Sequence, residues 1–237
     1  MWLLSDKVTV RDSGLFERLC DYHSHLLPNV DDGVEKPEET LRILEQWGNL
    51  GVSDVWLTPH IMADIPNTAD DLKQRFLTLT EMYHGTINLH LAAENMIDGL
   101  LLSRLTEGNL LPIGERHLLV ETSYYNPPIN MERVIDMIKE KGYTPILAHP
   151  ERYQYMDADD YRKWKQKGVL FQLNYPSLVG AYGYESKKKA EWLLKKNLYD
   201  CGGTDTHSLE SMEDFLESII NKKTMKRIQS SIPVPHY

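Results

Sequence analysis

A strand-then-helix rhythm runs through most of this 237-residue chain and constrains its fold more than any other feature. Residues 20–22, 52–57, 118–120, 145–148, 169–173 and 199–201 are short apolar-leaning runs of strand length, and Ile87, Leu89, Leu91 and Ala93 alternate as a strand should. Between them lie runs with apolar residues at helical spacing. Pro37, Glu38 and Glu39 open one that carries Leu41, Leu44, Trp47 and Leu50 and stops at Gly51. Asp70 and Asp71 open another, with Leu72, Phe76, Leu79 and Met82 on one face and Gly85 beyond. Further helices are expected around 100–105 and over 131–141, 159–167, 185–196 and 209–222. Seven strands alternating with helices imply parallel βαβ units closing into a β/α barrel, with an open doubly wound sheet as the alternative. One domain over 1–237 is expected, its core at about 19–222, with an irregular or weakly helical lead-in at 1–18 and a proline-broken, mobile tail at 230–237.

Composition narrows the partners. A net charge of -9 disfavours nucleic acid and anionic membrane, both polyanions. No apolar run reaches the ~20 residues of a membrane span, and no basic segment precedes a long apolar stretch at the amino terminus as a signal peptide requires. Two cysteines, Cys20 and Cys201, make no disulfide framework and read as inert thiols in a reducing cytoplasm.

Chemistry gathers where the strands end, the side of a β/α barrel on which active sites form. His23 and His25 share one face of an extended segment, and Asp32 follows in the same loop. His60, Glu94, Glu121, His149, Asp205 and His207 stand at later strand ends. All nine are nitrogen or oxygen donors to divalent metals, and none is a thiol. Nine donors exceed one tetrahedral ion and suit two or three ions sharing carboxylates, with manganese, iron and zinc all compatible. Three divalent ions against four carboxylates leave the pocket positive, so a phosphate dianion is attracted despite the acidic whole. Arg152 adds a fork of donors matched to phosphate oxygens. His84, His90 and His117 read as surface or packing residues, and Lys187, Lys188, Lys189, Lys195 and Lys196 as a solvated helix face.

With these residues in view, the chain resembles the polymerase and histidinol phosphatase (PHP) superfamily. Within it, the chain is most similar to the manganese-dependent protein-tyrosine phosphatases of bacterial capsule and exopolysaccharide operons. Residues 21–28, Asp31-Asp32-Gly33, Thr58-Pro59-His60, Glu94, Glu121, His149-Pro150-Glu151-Arg152 and Asp205-Thr206-His207 carry the resemblance. It implies a distorted (β/α)7 TIM-like barrel holding three metal ions. His23, His25, Glu94 and Asp205 would hold the first, Glu94, Glu121 and His149 the second, and Asp32, His60 and His207 the third. A metal-bridging hydroxide held by Glu94 would attack phosphorus while Arg152 binds the phosphate. The implied substrate is a phosphotyrosyl protein, the tail of a tyrosine autokinase of polysaccharide export. A small-molecule phosphatase, such as one acting on histidinol phosphate, and a metal-stabilised interaction module without turnover are the alternatives. The chain departs from the family in placing Ser208-Leu209-Glu210-Ser211 where a further Arg often stands.

Overall fold

Where apolar and amphipathic runs alternate, the computed structural model of the chain, which describes residues 6–232, places strands and helices in turn. The order is β1 (Lys7–Thr9), β2 (Cys20–Ser24), α1 (Pro37–Leu50), β3 (Asp54–Leu57), β4 (His60–Ile61), α2 (Ala69–Met82), β5 (Asn88–Leu91), β6 (Glu94–Met96) and α3 (Gly99–Glu107). It continues with β7 (His117–Glu121), α4 (Met131–Glu140), β8 (Thr144–Ala148), α5 (Ala158–Gln166), β9 (Leu170–Asn174), α6 (Tyr184–Lys195), β10 (Cys201–Gly203), α7 (Leu209–Glu217), β11 (Ile219–Asn221) and α8 (Lys222–Ser231). Local signals explain the helices. Pro37 opens α1, with Glu38 and Glu39 in its first turn, and its buried stripe is Thr40, Ile43, Leu44 and Trp47. Thr68 caps α2 through the Asp71 N–H, and α4 buries Met131, Val134, Ile135 and Ile138 at helical spacing.

The fold is mixed α/β, with a parallel sheet forming half a barrel wall. Six strands run parallel in the order β10-β9-β8-β7-β6-β4, and three more in the order β2-β3-β5. Main-chain hydrogen bonds link the two sheets at both margins. On one side Glu94 N–H, at the start of β6, donates to the carbonyls of Thr58 and Pro59 just after β3. On the other, His25 N–H donates to the Thr206 carbonyl and Asp205 N–H to that of His23. Strand residues alternate between two apolar clusters. Val55, Leu57, Leu118, Val120 and Leu147 pack in the larger cluster with the helices, whereas Tyr22, Trp56, Leu119, Ile146, Ala148 and Cys201 form the smaller one.

The structure corrects several expectations. Part of the expected lead-in is β1, which pairs antiparallel with β11, Val8 opposite Ile220. The helix expected over 209–222 ends at Glu217, because Ile219-Ile220-Asn221 pairs with β1; α8 then starts from an Asn221 cap. A partner some 210 residues away leaves no trace in local periodicity. Ser230 and Ser231 of the expected mobile tail belong to α8, while residues 1–5 and 233–237 lie outside the described residues. The alternation from Ile87 to Ala93 spans a break, so Glu94 begins β6 instead of ending a strand. Lys189 is not a solvated lysine: its Nζ donates to the carbonyls of Tyr153 (2.6 Å) and Met156 (2.9 Å). Among the described residues no helix is long and apolar enough to cross a membrane.

Candidate metal centre

The turn after β2 is shaped by Asp31-Asp32-Gly33. Val34 N–H donates to the His25 carbonyl at 3.1 Å, folding the loop back on the strand end. Gly33 lies so close there that an added Cβ would stand 2.2 Å from the His25 carbonyl oxygen, so no larger residue fits. The fold-back presents Asp31 to His25, with Oδ2 2.8 Å from Nδ1, while Oδ1 accepts the Gly33 N–H. Asp32, its side chain 66% exposed, stands at the rim, 3.5 Å from His60 Nε2 and 3.6 Å from His207 Nε2.

The predicted donors meet in three overlapping groups, each with its ligand atoms within 4.8 Å of one another. His23, His25, Glu94 and Asp205 form a fully buried quartet. His25, Asp32, His60 and His207 form a second group opening to solvent, and His60, Glu94 and Glu121 a third. His149 lies outside these groups, its Nε2 3.0 Å from Glu94 Oε1. Glu94 is the hub: its Oε2 lies 3.1 Å from His23 Nε2, 3.4 Å from His25 Nε2 and 3.2 Å from His60 Nδ1. His149 (φ 32°) and Asp205 (φ 54°) both adopt left-handed backbone, costing on the order of 1–3 kcal/mol at each position. Such strain clusters at functional sites.

Three imidazoles have fixed tautomers. His25 Nδ1 faces the Asp31 carboxylate, and His207 Nδ1 the Asp205 carbonyl at 2.8 Å. His23 Nδ1 faces Gln172 Oε1 at 3.1 Å, and that oxygen also accepts the His149 backbone N–H, which fixes the amide's orientation. Each partner is an acceptor, so Nδ1 carries a proton and Nε2, turned into the cluster, is the nitrogen left to hold either a proton or a metal ion. His23 Nε2 and His25 Nε2 are only 3.1 Å apart, and Glu94 Oε2 and Glu121 Oε1 are buried without a hydrogen bond to any described residue. Two ring nitrogens this close, with two buried carboxylate oxygens left without hydrogen bonds, need protons or a cation between them, so this donor set fits divalent metal.

Electrostatics point the same way. Burial opposes charge on His23, yet Glu94 and Asp205 raise its pKa to about 9. Burial also opposes charge on Glu94 and Asp205, yet the imidazoles, His23 foremost, hold both carboxyls well below their ordinary range. Burial and then Arg152 depress His149 to about 4, leaving it a neutral donor. The buried carboxylates thus demand positive charge beside them, which protons on His23 and His25 or a bound cation can supply. Arg152 enters it, with Nη1 donating to Asp205 Oδ2 at 2.7 Å.

Sequence reasoning missed the supporting residues. Asp21 Oδ1 accepts the N–H groups of Thr204 and His23, and Oδ2 accepts the Thr204 hydroxyl, pinning two donor segments together. Gln172 and Asn174, polar positions in an otherwise apolar strand, were the visible signal for their roles; Asn174 Nδ2 donates to Asp205 Oδ2 at 2.9 Å. Cys20 is half-buried and Cys201 buried, both are free, and burial lifts the Cys20 thiol to about 12, consistent with inert thiols. His90 pairs with Asp54 at 3.0 Å and stacks on Trp56, away from the cluster.

Buried Glu151 accepts the Asn174 N–H and the Tyr199 hydroxyl, and burial pushes its carboxyl from 4.5 up to about 7. The folded chain thus holds this proton more tightly than the unfolded one. Its contribution to stability is fully present below the unfolded value and is lost as pH rises from 4.5 through about 7. Glu151→Gln should flatten that slope, read as urea midpoints across the window; an unchanged slope contradicts the assignment.

Fold and site together define a parallel α/β protein whose strand ends converge on an imidazole–carboxylate cluster. The family model for capsular polysaccharide synthesis proteins of the CpsB/CapC type matches residues 19–233, and the chain belongs to that family. It is 26% identical over 217 residues to a putative tyrosine-protein phosphatase CapC of Staphylococcus aureus, covering 88% of this chain and 84% of that protein. Against the tyrosine-protein phosphatase CpsB of Streptococcus pneumoniae it is 25% identical over 220 residues, covering 86% and 90%. A solved structure from a study of YwqE of Bacillus subtilis and CpsB of Streptococcus pneumoniae, described there as metal-dependent tyrosine phosphatases, superposes with a TM-score of 0.71 at 22% identity. The match covers 90% of this chain and 87% of that one, and shares the fold.

Proposed function

We propose that the chain is a metal-dependent phosphomonoesterase that removes phosphate from phosphotyrosine in proteins, with a tyrosine autokinase of capsule or exopolysaccharide synthesis as its substrate. The observation that carries the reading is the tautomer set: His23, His25 and His207 each spend Nδ1 on an acceptor and aim Nε2 inward. Family membership and the names of the relatives support the same activity. The two parallel sheets, linked at both margins and lined by two apolar clusters, are read as one distorted (β/α)7 barrel in a single PHP-type domain. A cytoplasmic location suits the two free cysteines.

Three divalent ions are proposed, manganese first and iron or zinc as alternatives. His23, His25, Glu94 and Asp205 would hold one, Glu94, Glu121 and His149 a second with His60 in reach, and Asp32, His60 and His207 the third. Bound there, divalent ions lower the pKa of water and neutralise charge developing on phosphate. The chain supplies the rest. Asp31 and Gln172 orient the imidazoles, and Arg152, with one N–H on Asp205, offers its other donors to phosphate oxygens. The exposed rim at Asp32 and His207 suits a side chain presented by a protein.

Asp31→Asn should weaken metal binding and turnover by about 10–100-fold, the usual cost of losing a carboxylate behind a ligating imidazole. Metal titration followed by activity reads it, and undiminished affinity contradicts the orienting role. The function itself is tested by assaying phosphotyrosyl peptide, phosphoseryl peptide and histidinol phosphate side by side with manganese. Preference for the phosphotyrosyl peptide is expected; preference for histidinol phosphate would establish the small-molecule reading, and no turnover the non-catalytic one.

A further inference from the structure

Two tyrosines outside the donor set enclose Arg152. Its guanidinium carbon lies 4.0 Å from the Tyr182 ring centroid and 4.5 Å from that of Tyr124. The rings come from separate loops. Tyr124 follows Glu121 by three residues, and its carbonyl accepts the Gln154 N–H at 2.7 Å, tying that loop to the segment after Arg152. Its ring also stacks on buried Tyr153, at 6.2 Å and 24°. Tyr182 sits between Gly180 (φ 95°) and Gly183 (φ 88°), left-handed positions that turn a short loop over the pocket. Its hydroxyl donates to Asp205 Oδ2 at 3.5 Å, the oxygen that accepts Arg152 Nη1.

An arginine side chain has several freely rotating bonds, and fixing them costs rotamer entropy. Two ring faces held this close to a guanidinium restrict its movement, and they take up none of the acceptor capacity its N–H donors need. The Asp205 contact then holds one of those donors. We propose that Tyr124 and Tyr182 are positioning residues whose ring faces clamp Arg152, so that the donors not engaged by Asp205 are held ready for phosphate oxygens. The inference rests on the phosphatase reading of this site. It makes ring faces, not hydroxyls, the functional element, and ties their effect entirely to Arg152.

The test uses the full chain loaded with manganese, a phosphotyrosyl peptide as substrate and inorganic phosphate as competing ligand. Tyr124→Leu and Tyr182→Leu should each raise KM and the phosphate inhibition constant by about tenfold, in the range that cation–π contacts support. Metal content and melting temperature should stay unchanged. The Phe variants, which keep the faces, should restore near wild-type constants. Added to Arg152→Ala, the Leu substitutions should cost nothing further, because the group they position is gone. Unchanged constants in folded Leu variants, or an equal loss in the Arg152→Ala background, would overturn the clamp while leaving the phosphatase reading standing. A wild-type protein without turnover would overturn that reading and the clamp together.

Discussion

Glu94→Gln is expected to lower kcat by about 10³-fold or more, beyond the 10–100-fold typical of residues behind the ligands. No other carboxylate in the cluster stands among four imidazoles. One oxygen faces His23, His25 and His60, and the other faces His149 at 3.0 Å. Glutamine keeps the shape but removes the charge and turns one oxygen into a donor aimed at the same lone pairs. The first change removes the attraction for a cation and the second opposes one. Metal content should fall with activity, whereas the fold should persist, because glutamine keeps the side-chain volume and alters no residue of the two apolar clusters. Full metal content with near wild-type turnover would contradict the role of Glu94 as hub.

Arg152→Ala should lower kcat/KM by about 10²–10³-fold, the scale for deleting a preorganised donor to developing charge. Metal content should be largely retained, since Asp205 keeps Asn174 Nδ2 on Oδ2 and its other oxygen towards His23 and His25. Arg152→Lys should rescue poorly: an ammonium lacks the planar fork and cannot fill the space between the Tyr124 and Tyr182 rings. Loss of metal in step with activity would instead make Arg152 a support for Asp205 alone.

What could be read in the sequence, and what could not, divides along physical lines. Helices such as α1 and α4 were legible because amphipathic spacing, acidic openings and glycine stops are local signals. The set of His, Asp and Glu donors was legible because their chemistry is conspicuous against apolar strands, although His60 and Glu94 open β4 and β6 where strand ends were expected. The pairing of β1 with β11 was not, since it joins opposite ends of the described chain. Nor was the division of labour in Asp31-Asp32-Gly33: only the fold-back onto the His25 carbonyl shows that Asp31 orients an imidazole while Asp32 faces the rim. His60 reaching both Glu94 and Glu121 depends on its place in the two-residue strand β4, a register that periodicity does not encode. Tyr124 and Tyr182 had no signal at all, because aromatic residues in loops acquire meaning only through what they cover.

The most direct measurement of the central claim is metal stoichiometry followed through chelation and restoration on one preparation, with phosphotyrosyl-peptide turnover recorded at each step. The account predicts about three divalent ions per chain in the active protein, loss of turnover as they are removed, and recovery when manganese is returned. Turnover that survives complete removal of metal would contradict it.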